Sequence, residues 1–216
     1  MTDVMKPLTF TCEIELAKPA DEVWEWLGDL RNALLVNQFH TEIGDLPPDG
    51  RVGTEVTIVH ELVPFPPNER IGRVTAYQDE GDYKVAWSER LQASPYPDPF
   101  PHGEAWTVSS VDKAHCRVSA SVHGAWTSPV GRTIAPYVME PMLTTVLKKD
   151  LQEMAFAVGA IEEMEEVEPI PEHDRLHALT LAREINGIPI NEYFDDAAPV
   201  FGDYKEYMAA HPPRFG

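Results

Sequence analysis

Apolar and polar residues alternate along LTFTCEIEL at 8–16, with Phe10, Cys12, Ile14 and Leu16 on one side and Thr9, Thr11, Glu13 and Glu15 on the other. A period of two marks a strand with one buried face. The pattern changes at KPADEVWEWLGDL, where Val23, Leu27, Leu30 and Leu34 recur at helical spacing. Pro19 suits a first helical turn, and Asp21 and Glu22 suit the positive end of the helix dipole. A pair of short helices over about 19–40 is expected, broken near Asp29 to Asn32.

Period two returns from 53 to 127. Strands are expected at 54–63, 69–79, 83–92, 103–111 and 115–127, with turn-like joins at Pro64 to Asn68, Glu80-Gly81-Asp82, SPYPDPFPHG and Asp112-Lys113. That spacing describes an antiparallel meander of hairpins. Residues 130–166 read as one long helix, with Leu143, Leu147, Leu151, Met154, Val158 and Ile161 in a stripe. Pro136 and Pro141 each remove a backbone donor and should delay or kink its start. A first domain over 1–166 follows.

The remainder, 167–216, changes character. Seven acidic residues and no basic one lie between Glu162 and Asp174, and Pro169 and Pro171 end the helix. A short amphipathic helix (DRLHALTLAREI) with Asn186-Gly187 as its C-cap is expected next. Tyr193, Phe194, Phe201, Tyr204, Tyr207 and Phe215 make the end too aromatic for a free tail. This extension is expected to pack on the body or across a homodimer.

Composition narrows the function. The chain has 216 residues and a formal net charge of −19. That field repels nucleic acid and anionic membrane surfaces, and no basic stripe offsets it. No apolar run reaches the ~18–20 residues a span needs. The start, MTDVMKPLTF, does not read as a signal peptide, so a cytoplasmic location is the expectation. Two cysteines, Cys12 and Cys116, are too few for a disulfide framework or a zinc ribbon and read as reduced, buried thiols.

The order of elements resembles the START-like or Bet v 1-like (SRPBCC, polyketide cyclase-like) superfamily. TFTCEIELAKPADEVWEWLGDL at 9–30 and the striped helix at 143–164 carry the resemblance, which covers about 8–165. It implies an α+β helix-grip fold: a curved antiparallel sheet wrapped around a long C-terminal helix, with a ligand cavity between them. The superfamily spans polyketide cyclases and aromatases, lipid and hormone carriers, co-chaperone domains and oxygenase catalytic domains. The oxygenase branch is disfavoured, because the chain lacks the Cys and His pairs of a Rieske centre.

Alternation assigns the inward side chains. It puts three ionisable groups, His60, Glu89 and Glu104, on the apolar side of the sheet. A buried carboxyl raised in pKa beside an imidazole is equipment for proton transfer next to a carbonyl. These three are the candidate acid/base residues. Ile58, Tyr83, Trp87, Trp106, Val122 and Trp126, with Tyr137 and Met142 from the start of the long helix, are the candidate ligand contacts. The tryptophans could equally serve core packing. His102-x-Glu104 puts two metal-ligand types on one strand face and His60 could add a third, but such spacing commonly arises by accident, so no metal and no cofactor is expected. His40, His115 and His123 read as loop or outward positions.

The expected function is binding of an apolar small molecule in an internal cavity by a cofactor-free cyclase or dehydratase of a polyketide-like or other cyclic substrate. The alternatives are a carrier or sensor of a hydrophobic ligand and, from the acidic segment and aromatic tail, an interaction module.

Overall fold

Seven strands form one antiparallel sheet in the order β1-β7-β6-β5-β4-β3-β2. The computed structural model describes residues 8–47, 51–61, 67–92, 100–124 and 139–165. The strands are β1 (Leu8–Leu16), β2 (His40–Ile43), β3 (Glu55–His60), β4 (Asn68–Gln78), β5 (Tyr83–Leu91), β6 (His102–Ser110) and β7 (Cys116–Gly124). Every expected strand is present, with ends within three residues of expectation. First and last meet: β1 pairs with β7 from Leu8↔Gly124 to Leu16↔Cys116. Helix α1 (Ala20–Leu27), α2 (Leu30–Leu35) and α3 (Met139–Ala157) complete the described elements. This is the expected helix-grip α+β fold.

Helix α1 buries Val23, Trp24 and Leu27 on its apolar face. Asp29 caps α2, its side chain accepting from the Arg31 N–H at 2.8 Å. The helical stretch expected to reach residue 40 stops at Leu35. The cause is Asn37, whose Oδ1 accepts the Phe39 N–H at 2.8 Å. Such a local side-chain bond competes with helix continuation. The next four residues pair instead with β3 as β2, His40 opposite His60.

Alternation holds on the sheet. Val56, Ile58, Val74, Val85, Trp87, Trp106, Val108, Val118, Ala120 and Val122 are buried on the concave face. Gly72 on β4 leaves room there, since a Cβ would sit 2.6 Å from Ile58 Cδ1. Cys116 is buried and Cys12 half-buried, both as free thiols. Helix α3 lies along β1 and β7 and buries Leu143, Leu147, Leu151 and Met154. The helix ends nine residues before the expected 166, because Gly159 takes φ +66° and turns the chain. Val158 and Ile161 follow the last helical turn and still pack on the core.

No helix among the described residues is long and apolar enough to cross a membrane. The extension 167–216, Trp126 and Tyr137 lie outside the described residues, as does the side chain of Met142.

Candidate active site

The concave face changes character toward one end of the sheet. There, neighbouring strands contribute His40 (β2), His60 (β3), Arg70 (β4), Glu89 (β5) and then His102 and Glu104 (β6). Register explains their convergence. His40 faces His60 across β2–β3, and Glu89 faces His102 across β5–β6. Arg70 stands two positions along β4 from Gly72, the partner of Glu89. One polar row therefore crosses five adjacent strands.

Glu89 is its centre, with a side chain wholly removed from solvent. Trp87 Nε1 donates to Glu89 Oε1 at 2.9 Å. His40 Nε2 lies 3.1 Å from the same oxygen, Arg70 Nε 3.4 Å and His102 Nε2 3.7 Å from Oε2. The His40 contact is close but out of line, so Nε2 makes no hydrogen bond. Burial raises the Glu89 pKa, but the charges on His40 and His102 outweigh it and hold the carboxyl well below its usual range. Burial likewise pushes His40 down, while Glu89 and the Leu34 carbonyl lift it further, to about 9. Without a ligand the two form a buried ion pair.

Glu104, Asp150 and His60 are shifted toward their neutral forms. Burial, followed by repulsion from Glu89, raises Glu104 to about 7. Asn37 Nδ2 donates to Glu104 Oε1. Burial and the nearby Glu104 raise Asp150 on α3 to about 8. Burial lowers His60 well below its ordinary value, with His40, His102 and Arg70 adding to the effect against Glu89. Its Nε2 is buried without a hydrogen-bond partner.

Asn37, His60, His102, Glu104 and Asp150 line a cavity of about 60 Å³, together with Phe39, Phe100, Val122, Leu143, Val146 and Leu147. Two of the three candidate acid/base residues, His60 and Glu104, thus reach it. Glu89 lies in the same cluster but does not line the cavity. Among the candidate ligand contacts Val122 lines it. Ile58, Trp87 and Trp106 are packed in the core, and Tyr83 stacks on Trp24 with ring centroids 5.2 Å apart.

His40 corrects the reading of that residue as a loop or outward position: it is 4% exposed. The short strand HTEI turns it inward, and Nδ1 donates to the Leu34 carbonyl at 2.6 Å. Asp150, Asn37 and Arg70 also join the site without having been singled out in the sequence. Asp150 left a signal, because 143, 147, 150 and 154 are one helical stripe interrupted by a carboxylate.

No family model matches the chain, and no curated protein matches it. Solved structures do resemble it in shape. A hypothetical protein from Helicobacter pylori superposes with a TM-score of 0.55 at 13% identity, covering 70% of this chain and 88% of that one. A protein from Thermus thermophilus gives 0.53 at 13% identity over 72% of this chain and all (100%) of that one. Norcoclaurine synthase from Thalictrum flavum, in complex with dopamine and hydroxybenzaldehyde, gives 0.51 at 12% identity over 74% and 91%. At these identities the likeness speaks for the fold. The chain shares its fold, the expected helix-grip α+β architecture, with these structures.

Proposed function

We propose that the protein is an enzyme that binds a largely apolar, carbonyl-bearing small molecule and acts on it by proton transfer, as a cyclase or dehydratase of a polyketide-like or other cyclic substrate. One observation carries this reading: five chemically able side chains from four separate segments meet in a cavity whose remaining lining is apolar. Burying polar groups is costly unless they are fully partnered. Asp150 Oδ1 and His60 Nε2 are not. A binder of purely apolar molecules gains nothing from that expense.

Glu104, raised to about 7, is a neutral acid at the pH where His60 is a neutral base. Glu104 donates a proton to a carbonyl oxygen or a departing hydroxyl, and His60 takes one from the adjacent carbon. In a dehydration the hydroxyl leaves as water with the Glu104 proton, and the proton on His60 then restores the acid. Glu89, outside the cavity, positions His40 rather than reacting. A space of about 60 Å³ takes the reacting end of a ligand, so the rest of the molecule extends beyond it. Norcoclaurine synthase, on the same fold, is solved with hydroxybenzaldehyde, an aromatic carbonyl compound.

The apolar lining favours a second reading, a carrier or sensor of a hydrophobic ligand. Affinity and product formation measured on the same variants, with a panel of aromatic and cyclic ketones, separate the two. For the enzyme, Glu104→Gln and His60→Leu keep the ligand bound and lower turnover by ~10²–10⁴-fold. For the carrier, both changes leave binding intact or tighter and wild type forms no product.

A further inference from the structure

Three acceptor atoms in the polar row have no hydrogen-bond partner although they are buried: His40 Nε2, His60 Nε2 and Glu89 Oε2. His40, His60 and Glu89 offer ligand atoms that all lie within 4.8 Å of one another, and a second trio, Glu89, His102 and Glu104, shares the central carboxylate. We infer that the His40–His60–Glu89 cluster, with His102 beside it, is a binding site for a divalent first-row transition-metal ion such as Zn²⁺ or Fe²⁺.

Spacing supports it. Ligand atoms about 2.1 Å from a tetrahedral ion stand ~3.4 Å apart. His40 Nε2 to Glu89 Oε1 is 3.1 Å, and His102 Nε2 to Glu89 Oε2 is 3.7 Å. Two histidines and one carboxylate form a donor set that both zinc and non-haem iron accept.

The surroundings orient these donors as metal sites do. Metal-binding histidines give their second ring N–H to a carbonyl or carboxylate, which fixes the tautomer. His40 Nδ1 meets the Leu34 carbonyl at 2.6 Å, and His102 Nδ1 meets the Phe100 carbonyl at 2.9 Å. Each bond places a proton on Nδ1 and leaves Nε2 facing Glu89, where it becomes a ligand once its own proton is displaced by the metal. Arg70, at 3.4 Å from Glu89 Oε2, supports the carboxylate as an outer partner.

Charge points the same way. Glu89, Glu104 and Asp150 are three buried carboxyl groups set against the single guanidinium of Arg70. With His40 neutral, as a metal ligand must be, and the three carboxyls ionised, the excess is two negative charges, which a divalent cation balances.

The site is argued independently of the proton-transfer reading, and with a metal bound it reassigns one role in that reading. A metal held there would supply a Lewis acid beside the cavity that His60 and His102 line. His60 is then committed to the metal, and proton transfer falls to Glu104 and Asp150.

The test uses untagged full-length protein. Metal content is measured after purification without chelator, and the chelator-stripped protein is titrated with Co²⁺ while its visible spectrum and unfolding temperature are followed. The expected result is one equivalent per chain, d–d bands from mixed nitrogen and oxygen ligands, and a rise in unfolding temperature. His60→Leu removes an unpartnered nitrogen and should fold, as far-UV circular dichroism checks. It should weaken Co²⁺ binding by more than the ~10–100-fold that loss of even an outer partner costs. His102→Leu provides a second variant, and His115→Ala, an exposed histidine, should change nothing. Absence of retained metal together with no Co²⁺ bands at stoichiometric addition overturns the inference. So does full Co²⁺ affinity in both His60→Leu and His102→Leu. Either result leaves the proton-transfer reading standing on its own variants.

Discussion

The two ends of the concave face obey the same alternation and hold opposite contents. Under α1, the sheet presents Val85, Val108 and Val118 to Val23, Trp24 and Leu27, all buried and all apolar. Toward the other end the inward positions of the same strands are Glu89 on β5 and His102 and Glu104 on β6, facing Asp150 of α3. The first region is what hydrophobic burial alone builds. The second costs stability, because desolvated charges and unpartnered atoms are expensive even in pairs. The proposed function gives a reason for a fold to carry such a region a few residues from a well-packed one.

The comparison can be broken most severely at Glu89. Glu89→Gln removes the counter-charge of His40 and Arg70 and should cost ~3–5 kcal/mol in denaturant unfolding. A loss near zero would mean that the row is solvated rather than buried. In the apolar region, Leu151→Ala should cost ~2–5 kcal/mol as a core truncation under α3. If the loss is within measurement error, α3 does not grip the sheet.

Asp150 offers the opposite sign. Its pKa is raised to about 8 in the folded chain, while the unfolded chain titrates near ~3.9. Between those values the folded state holds a proton that the unfolded state has lost, so stability contributed here is present below pH ~4 and is lost as pH rises through 8. Asp150→Asn should therefore match wild type near pH 4 and exceed it by on the order of 1–3 kcal/mol at pH 8. A variant less stable than wild type at pH 8 would show that the carboxylate is paired and useful to folding. The smallest effect is expected on the convex surface: Arg117→Ala, which loses an exposed pair with Glu15, should leave the denaturant midpoint unchanged within measurement error.

The apolar region was legible because alternation and helical stripes are local signals. They located six of the seven strands and the inward direction of His60, Glu89 and Glu104. The polar region was legible only in part, because its members meet through register and helix packing. His40 sits on a four-residue strand too short to show a period, next to a helix whose end is set by the side chain of Asn37. Asp150 interrupts an apolar stripe, and its polar neighbours in the cavity, Asn37, His60, His102 and Glu104, come from chain segments more than forty residues away. Gly159 stops α3 through a positive φ, which no count of apolar spacings reveals.

The central claim is that the polar end of the cavity transforms a ligand rather than merely holding it. Native mass spectrometry of wild type and Glu104→Gln, expressed and purified side by side, tests it most directly. The account predicts that Glu104→Gln retains an unreacted small molecule and that wild type, offered the same compound, yields a product one water lighter or isomerised. The same ligand on both proteins, unchanged after incubation with either, would contradict it and leave a carrier.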